Sequence, residues 1–439
     1  MRMPSEEEKR MRPIPFARGA ALACLFAVPA SALADPIPSG GAGENIQVIG
    51  YSELGERPGF KMSIRQVGER WYLYMGHLWH FGWSIVDVTD PANPRVAKFI
   101  PGPDNTWTIQ MEMHGDRMIT ALEKIAPGWG GDPNKPNDEG VLIWDVSDAL
   151  NPRKLGQYKT GGTGTHRDFY AGGRYMHLAA GMPGYKENIY VIVDISDPAK
   201  PVEAGRWWVP GQKEGENAIA PPSTSLHGPP EVRGNTVFLP YGGAGMIILD
   251  ISDVAKPKEV SRLPFSPPFL SFIGVHTVVP VMEKRLAYVN SEAIFDDCKE
   301  ALNHTSIVDI SDLAKPRVVS MLPLPLPPAN WKIKSFCEHG GRFGPHNQNQ
   351  LHHNPSVQQP GNLLYLTYFN AGLRIYDVSV PSVPREVAYF VPPDPKKRYG
   401  TFPKSRLAVQ TEDVLVDTRG YIYVTHKNQG LWILRHTPK

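Results

Sequence analysis

Residues 246–257 read MIILDISDVAKP, and this pattern determines the fold because it occurs six times along the chain. Each copy is an apolar, β-branched run followed by Asp, then Ser or Thr, usually a second Asp, and a turn closed by Pro. The other copies are SIVDVTDPANP at 84–94, VLIWDVSDALNP at 141–152, VIVDISDPAKP at 191–201, SIVDISDLAKP at 306–316 and LRIYDVSVPSVP at 373–384. A period of roughly 50–70 residues is typical of a repeat architecture.

Each repeat also has the same internal order of short apolar segments. Two strands separated by a tight turn precede the Asp-containing strand, and a short strand follows its closing Pro. The 44 Pro and 41 Gly residues supply the frequent turns that such short strands need. A four-stranded unit repeated in this way predicts an all-β protein, a β-propeller.

Six units are complete and a seventh is split between the two ends of the chain. Residues 413–434 supply three strands of the last unit, and residues 47–52 (QVIGYS) resemble the missing fourth. The sequence therefore predicts a seven-bladed propeller over residues 45–438, closed by the N-terminal strand completing the last blade. Closure removes the exposed sheet edges that otherwise favour aggregation.

The repeated aspartates are interpreted as structural. Pro presets the turn, and Asp and Ser side chains satisfy backbone groups within it. With one aspartate per blade, the carboxylates lie too far apart to share a calcium ion. These residues are Asp87, Asp145, Asp194, Asp250, Asp309 and Asp377.

The N-terminus has the order of a secretory signal peptide. Arg10, Arg12 and Arg18 precede an apolar run at 19–34 that ends in Ala-Leu-Ala. We expect residues 1–34 to be a signal peptide cleaved near Ala34, followed by a flexible segment at 35–44, and a periplasmic or secreted protein. A retained anchor is the alternative, although the run is short for a bilayer. The formal charge of +2 gives no electrostatic reason to expect nucleic-acid or membrane binding.

Two cysteines remain after the predicted cleavage. Cys298 and Cys337 lie in two long irregular inserts. In an exported protein they could form a disulfide that joins the inserts, but two free thiols remain equally open because the sequence gives no distance between them.

The repeats resemble the LVIVD-repeat family of bacterial propellers. VIVDISDPAKP and SIVDISDLAKP are close to that family's repeat, and the resemblance extends over most of the chain after residue 34. It implies the propeller fold and an exported bacterial protein. It implies no activity, because one propeller shape carries many functions.

Four histidines share one register within their repeats. His166, His227, His276 and His353 each precede the second strand of a unit by about nine or ten residues. The first strand of a blade lines the central channel, so these imidazoles are expected to converge on one point. Converging neutral imidazoles favour a transition metal, Fe(II) or Cu, with Zn possible. His346 is an alternative to His353, and structural histidines are the competing interpretation.

Two glutamates are candidates for a supporting catalytic role. Glu112 lies on the first strand of the second blade, and Glu412 lies just before the first strand of the seventh. A carboxylate in this position could orient a ligand imidazole through its second ring nitrogen. The alternative is an ion-paired glutamate. His77 and His80 have zinc-ligand spacing but lack a third local ligand, so they are expected on the surface.

Long loops rich in Gly and aromatic residues join many second and third strands, which favours a covered pocket for an apolar or aromatic small molecule. In arrangement, the four histidines are similar to the iron site of the carotenoid and stilbene cleavage oxygenases, and to exported copper propellers of the methanethiol oxidase type. The sequence thus favours an exported metal-dependent oxidase or oxygenase. A binding scaffold and a metal-dependent hydrolase or lyase are the alternatives; no protein partner is indicated.

Overall fold

The computed structural model describes residues 37–265, 271–301 and 303–438; the predicted signal peptide lies outside them. Regular structure in these residues is almost entirely antiparallel strands, with three short 3-10 helices at Gly242–Ala244, Met282–Lys284 and Phe336–Glu338. None of the described helices is long and apolar enough to span a lipid bilayer. The prediction of an all-β protein is confirmed.

The strands follow one another in groups along the chain. Before the first complete group come β1 (Ala42–Glu44) and β2 (Ile46–Ser52). The first half of the chain then contains β3 (Gly59–Val67), β4 (Arg70–His77), β5 (Gly82–Asp87), β6 (Arg95–Pro101), β7 (Thr106–Trp107), β8 (Met111–His114), β9 (Arg117–Lys124), β10 (Gly140–Asp145), β11 (Arg153–Tyr158), β12 (Gly164–Phe169), β13 (Tyr175–Gly181), β14 (Asn188–Asp194) and β15 (Val202–Trp207).

The second half continues the same pattern to the C-terminus. It contains β16 (Glu231–Arg233), β17 (Thr236–Pro240), β18 (Met246–Asp250), β19 (Lys258–Leu263), β20 (Ile273–Val281), β21 (Leu286–Glu292), β22 (Thr305–Asp309), β23 (Arg317–Met321), β24 (Leu363–Thr367), β25 (Leu373–Asp377), β26 (Arg385–Val391), β27 (Thr411–Val416), β28 (Tyr421–His426) and β29 (Gly430–His436).

Consecutive strands pair with each other. The sheets have the orders β3-β4-β5-β6, β16-β17-β18-β19, β20-β21-β22-β23, β1-β26-β25-β24 and β2-β29-β28-β27. The remaining sheet has the order β11-β10-β9-β12-β13-β14-β15, with β7 and β8 also paired to β9. The connection between β9 and β12 is the single pair Gly164↔Glu123, so this sheet is two groups joined at one point.

Both N-terminal strands pair with strands from the other end of the chain. β2 is antiparallel to β29, from Ile46↔His436 to Ser52↔Leu431. β1 pairs with β26, so residues 42–44 form a strand within the segment for which the sequence predicts flexibility.

The Asp-containing segments form the third strand of each group and the turn after it. In β18, the four residues before Asp250 are buried, and the Asp250 carboxylate accepts a hydrogen bond from the Ser252 N–H at 2.8 Å. Asp253 accepts one from the Ala255 N–H at 3.1 Å. The equivalent bonds recur after β5, β10, β14, β22 and β25, which confirms the structural interpretation of these aspartates.

Apolar side chains from neighbouring sheets pack together to form the core. One cluster joins β4 and β5 to β27, β28 and β29, and includes Leu73, Val86, Leu415 and Ile433. The Met62 N–H also donates to Asp413 Oδ2 at 3.0 Å across the same boundary. The first and last groups of strands are therefore in direct contact.

Cys298 and Cys337 form a disulfide, with their Cα atoms 5.5 Å apart. The sequence left a bridge and two free thiols open, and the structure has the bridge. It joins the loop after β21 to the irregular segment between β23 and β24. The nearby pair Asp296↔Arg342 adds a β-bridge between the same two segments.

Candidate metal centre

Four histidines from consecutive groups of strands lie in a row, and we call them, with Glu292, the histidine cluster. The ring centroids are 4.3 Å apart for His166 and His227, 5.5 Å for His227 and His276, and 4.9 Å for His276 and His346. His166 lies on β12 and His276 on β20, while His227 and His346 lie in the irregular segments before β16 and β24.

Irregular strand registers place these side chains. The β12–β13 register shifts between Thr165 and Arg167, so His166 is an extra residue without a direct partner. The β20–β21 register shifts between Ile273 and Thr277, a stretch that contains His276. Such bulges break the alternation of side chains between the two faces of a strand and re-aim them. They are a physical reason for several consecutive residues of β12 to be buried polar groups.

The approach of His227 to His276 also depends on a glycine. A Cβ atom added to Gly228 would lie 1.6 Å from the backbone oxygen of His276. No other residue type fits this contact without moving the backbone. Gly228 therefore permits the two histidine-bearing segments to come together.

In three of the four imidazoles, a hydrogen bond at Nδ1 orients the ring and leaves Nε2 as the nitrogen that can bind a ligand. His166 Nδ1 donates to Glu123 Oε2 at 2.7 Å, and His346 Nδ1 donates to the Glu412 carbonyl at 2.8 Å. His276 Nδ1 lies 2.7 Å from the Thr277 hydroxyl, whose own proton goes to the His346 carbonyl. Since a neutral imidazole carries one proton, Nε2 of each ring is left with its lone pair.

The carboxylate of Glu292, at the end of β21, lies among these rings. Its oxygens are 3.1 Å from His227 Nε2, 3.5 Å from His276 Nε2 and 3.6 Å from His346 Nε2. Potential ligand atoms of His227, His276 and Glu292 all lie within 4.8 Å of one another. This is the one such group of three among the described residues, and two imidazoles with one carboxylate form a donor set suited to non-haem Fe(II).

Burial sets the protonation of this group. Removal from water lowers the pKa of His227, and lowers that of His276 well below its usual range. Burial alone would raise the pKa of Glu292, but the surrounding histidines, His276 first, outweigh it and hold the pKa well below its ordinary value. The two titrations are coupled, because a protonated imidazole lowers the pKa of the Glu292 carboxyl and the ionised carboxylate raises the pKa of the imidazole. Metal ligation requires the ionised carboxylate and a deprotonated ring nitrogen.

Arg167 is a cation in direct contact with the imidazoles of the cluster. Arg167, 2% exposed, directs Nη2 at His276 Nε2 over 2.8 Å and lies 3.5 Å from His346 Nε2. Its Nε donates to the His227 carbonyl at 3.3 Å. A metal ion bound by His276 Nε2 must therefore displace this guanidinium from its hydrogen bond.

His353, the fourth histidine of the sequence prediction, has different contacts. Its Nε2 lies 3.2 Å from Glu112 Oε2, and its ring packs edge-on against Phe169 at 5.0 Å. The position beside His276 is taken by His346, the alternative that the sequence left open. Burial lowers the pKa of His353 to about 4, so this imidazole is neutral.

Glu112 and His353 belong to a second group of buried titratable residues, which we call the carboxylate cluster. Burial raises the pKa of Glu112 to about 8 and that of Glu231 to about 7. Both carboxylate oxygens of Asp168 are buried without a hydrogen-bond partner among the described residues. The full cluster is Glu112, Asp168, Glu231, His353 and Asp413.

Glu412, the second predicted glutamate, contacts a histidine of the first cluster. Its carboxylate oxygens lie 3.3 Å from His346 Nδ1 and 2.7 Å from Lys427 Nζ. Burial raises its pKa, but Lys427 and His346 outweigh burial and bring it to about 2. Each of the two predicted glutamates thus contacts one histidine: Glu112 within the carboxylate cluster, and Glu412 at the edge of the histidine cluster.

His77 and His80 do not form a pair of exposed residues as expected. His77 is fully buried, and its ring nitrogens lie 2.8 Å from the Pro58 carbonyl and 2.7 Å from the Ser84 hydroxyl. The surface interpretation is wrong for His77 because both nitrogens serve as structural hydrogen-bonding groups in the core. His80 is partly exposed.

Several residues of the site were not found from the sequence. Glu292 ends a second strand, whereas the repeat pattern predicts channel-lining residues on first strands. Arg342 lies in an irregular insert, which has no register to count from. The sequence HRD at 166–168 could have indicated Arg167 as a site residue, because three consecutive polar residues are unusual in a buried strand. The residues missed are Glu123, Arg167, Glu292, Arg342 and Lys427.

Comparison with known proteins supports the fold. The chain carries LVIVD repeats, matched at residues 184–208, 231–263 and 355–390, as the repeated segments predicted. A search of curated proteins found no match to the chain.

Solved structures with a similar fold have low sequence identity to the chain. The beta-propeller domain of Cps50 (Swd1) from Myceliophteria thermophila is 11% identical with a TM-score of 0.51, covering 86% of this chain and 99% of that one. A protein from Lactobacillus plantarum is 12% identical (TM-score 0.50; 84% and 91% covered). Streptogramin B lyase is 8% identical (TM-score 0.50; 90% and 97% covered). At such identities the likeness concerns the fold alone, which is propeller-like.

Proposed function

We propose that this chain is an exported metal-dependent oxidoreductase whose histidine cluster binds Fe(II) or Cu. The observation that carries the proposal is the convergence of His227, His276 and Glu292 between two further histidines. Three of the four rings have Nδ1 bound to an oxygen and Nε2 left for a ligand. When bound, the ion would supply the oxygen-activating chemistry of the reaction.

The supporting residues fit metal binding. Glu123 holds His166 from behind, the arrangement that fixes the tautomer and raises the basicity of a ligand imidazole. His227 Nε2 lies 3.1 Å from Glu292 Oε2, and ligation through that nitrogen would require the neutral imidazole to carry its proton on Nδ1. Arg167 yields its bond to His276, and the guanidinium is then available to an anionic ligand.

We infer that the scaffold is a closed seven-bladed propeller. The pairing of β2 with β29 and the contacts between the first and last groups of strands support closure. The disulfide between Cys298 and Cys337 supports export, because such bonds persist in oxidising compartments.

Metal analysis of the untagged protein tests the proposal. Protein stripped with EDTA is titrated with Fe(II) under argon, and separately with Cu(II) and Zn(II), and bound metal is measured after desalting. We expect about one ion per chain, with loss of about 100-fold or more in affinity when His227 and His276 are both replaced by Ala. Oxygen consumption by the Fe- and Cu-loaded protein is then measured with aromatic substrates.

His353→Ala is the matched control for His346→Ala. Both remove a buried imidazole that contacts a glutamate. We expect His346→Ala to weaken metal binding and His353→Ala to leave it within about twofold. Stoichiometric binding of none of the three metals would contradict the proposal and leave the binding scaffold; selective zinc binding without oxygen consumption would instead favour the hydrolase or lyase.

A further inference from the structure

Arg342 presents an unused hydrogen-bonding edge next to the histidine cluster. Its side chain is 2% exposed, and Nη1 donates to Glu292 Oε1 at 3.1 Å and to the Ala293 carbonyl at 3.2 Å. Nε and Nη2 are buried and have no hydrogen-bond partner among the described residues. Since buried donors are normally satisfied, two adjacent free donors on one guanidinium indicate a missing acceptor.

The geometry of these two donors selects the acceptor. Nε and Nη2 lie on one edge of a planar guanidinium and point in nearly parallel directions. That edge matches the two oxygens of a carboxylate, which it binds through two charge-assisted hydrogen bonds. Glu292 already bonds Nη1 of the same guanidinium, so one guanidinium group would separate a carboxylate on the free edge from the proposed metal ligand.

Aromatic rings surround Arg342. Its Cζ lies 4.8 Å from the ring centroid of Trp129, 5.1 Å from Phe369 and 5.7 Å from Phe402. Trp129 and Phe402 stack with centroids 4.0 Å apart, and Phe369 stacks on His346 at 4.8 Å. Trp129 is partly exposed and comes from the loop between β9 and β10, so its movement would open a route to the arginine.

Charge also favours an anionic ligand. Lys427 lies over the same three rings, within 5.9 Å of each centroid, and is 1% exposed. The positively charged side chains at the site are matched one for one by carboxylates, so a divalent ion would leave an excess of positive charge that an anion offsets. The three cations are Arg167, Arg342 and Lys427, and the three carboxylates are Glu123, Glu292 and Glu412. Glu292 pairs with Arg342 and Glu412 with Lys427, whereas Glu123 bonds His166.

A second buried arginine shows what is particular to Arg342. Arg374 is also fully buried, pairs with Glu386 at 3.1 Å, and lies over Phe336 and Tyr389. Its Nε, however, donates to the Ala371 carbonyl at 2.9 Å and only Nη2 lacks a partner among the described residues, so Arg374 does not present two adjacent free donors. Burial and aromatic packing alone therefore do not produce a free edge.

We propose that Arg342 is the carboxylate-binding residue for an aromatic carboxylate ligand, whose ring packs against Trp129, Phe369 and Phe402. The identification of this ligand as a substrate rests on the proposed function; the binding subsite itself does not. The inference defines the substrate class as an aromatic acid presented to the metal from the side of Glu292.

Calorimetric titration of the metal-free protein tests the subsite separately from the metal. The probes are benzoate, cyclohexanecarboxylate, which has the charge without the aromatic ring, and benzyl alcohol, which has the ring without the charge. We expect saturable 1:1 binding of benzoate and weaker binding of both other probes. Arg342→Met should weaken benzoate binding about 100-fold, the worth of two charge-assisted hydrogen bonds.

Arg342→Lys and Arg374→Met complete the design. Lysine keeps the charge but lacks the paired donors, so we expect a loss of about tenfold. Arg374→Met removes an equally buried arginine and should leave binding within about twofold, with urea unfolding showing that each variant is folded. The proposal is overturned if folded Arg342→Met binds benzoate like the wild type, or if the wild type shows no saturable binding up to about 10 mM. Equal affinity for cyclohexanecarboxylate would overturn its aromatic part.

Discussion

The glutamates at the histidine cluster differ from Glu112 of the carboxylate cluster in the groups that contact them. In the histidine cluster, Glu292 has Arg342 at 3.1 Å, and the adjoining Glu412 has Lys427 at 2.7 Å. In the carboxylate cluster, Glu112 faces the neutral imidazole of His353 at 3.2 Å. Glu292 and Glu412 are buried, as Glu112 is, so burial does not explain why their pKa values differ from that of Glu112.

The difference shows how the same residue types acquire opposite protonation states. Burial raises the pKa of a carboxyl group and a cation in contact lowers it, so the balance of the two effects decides. Burial still prevails for Glu231, with Arg233 at 3.1 Å, and for Asp413, with Lys61 at 3.4 Å, whereas Lys427 prevails for Glu412. The pKa of Glu412 accordingly falls to about 2, whereas that of Glu112 rises to about 8. The histidine cluster offers imidazole lone pairs and an ionised carboxylate, which suit a metal ion. In the carboxylate cluster, Glu112 is protonated near neutral pH and can donate a hydrogen bond.

The largest expected effect comes from removing the charge of Glu292. Glu292→Gln leaves the Arg342 guanidinium buried without its carboxylate partner, so we expect the metal-free protein to lose about 4 kcal/mol of unfolding free energy. Urea denaturation at pH 7 measures this loss. The same substitution would also remove the anionic ligand of the proposed centre. A loss below about 1 kcal/mol would show that the pair contributes little to stability.

Glu112→Gln is expected to increase the free energy of unfolding, by an amount that depends on pH. The folded-state pKa of about 8 lies above the ordinary value of 4.5. The contribution of Glu112 to stability is therefore fully present below pH 4.5 and is lost as the pH rises through 8. The glutamine variant does not titrate, so between pH 5 and pH 8 it should avoid a loss of about 3 kcal/mol that the wild type undergoes.

Urea denaturation of both proteins at the two pH values gives the difference directly. Glu231→Gln is a matched variant, because the pKa of Glu231 rises only to about 7 and its titration should end at lower pH. Parallel pH profiles for wild type and Glu112→Gln would mean that Glu112 is ionised in the folded protein, and the contrast between the two clusters would disappear.

The fold could be predicted from the sequence because its determinants are local. Each Asp-containing segment carries its own apolar strand and its own turn, as Asp250 and Ser252 illustrate. The positions of the histidines could be predicted only where the number of residues before the second strand is constant from repeat to repeat. The register count predicts His353, ten residues before β24, but the chain between β23 and β24 is irregular and brings His346 to the cluster instead.

Residues that meet only through long-range contacts have no sequence pattern from which their contact could be predicted. Glu292 and Arg342 are fifty residues apart and meet because a disulfide and a β-bridge join their two loops. The bulge at His166 likewise breaks the period of two from which strand faces are inferred. The site is therefore least predictable where the backbone departs from regular structure.

Arg167→Met is expected to have the smallest effect, a change in Zn(II) affinity whose direction distinguishes two roles of the arginine. In the histidine cluster the guanidinium donates to His276 Nε2 at 2.8 Å, the atom that a metal ion needs. Removing this competing hydrogen bond and its positive charge should strengthen Zn(II) binding by about tenfold, whereas replacing any ligand weakens it. Lys61→Met is the counterpart in the carboxylate cluster, where it removes the 3.4 Å pair with Asp413 and should leave zinc affinity unchanged. Weaker zinc binding in Arg167→Met would instead mean that the arginine helps to hold the imidazoles in place, and the histidine cluster would then be an arginine-centred hydrogen-bond network.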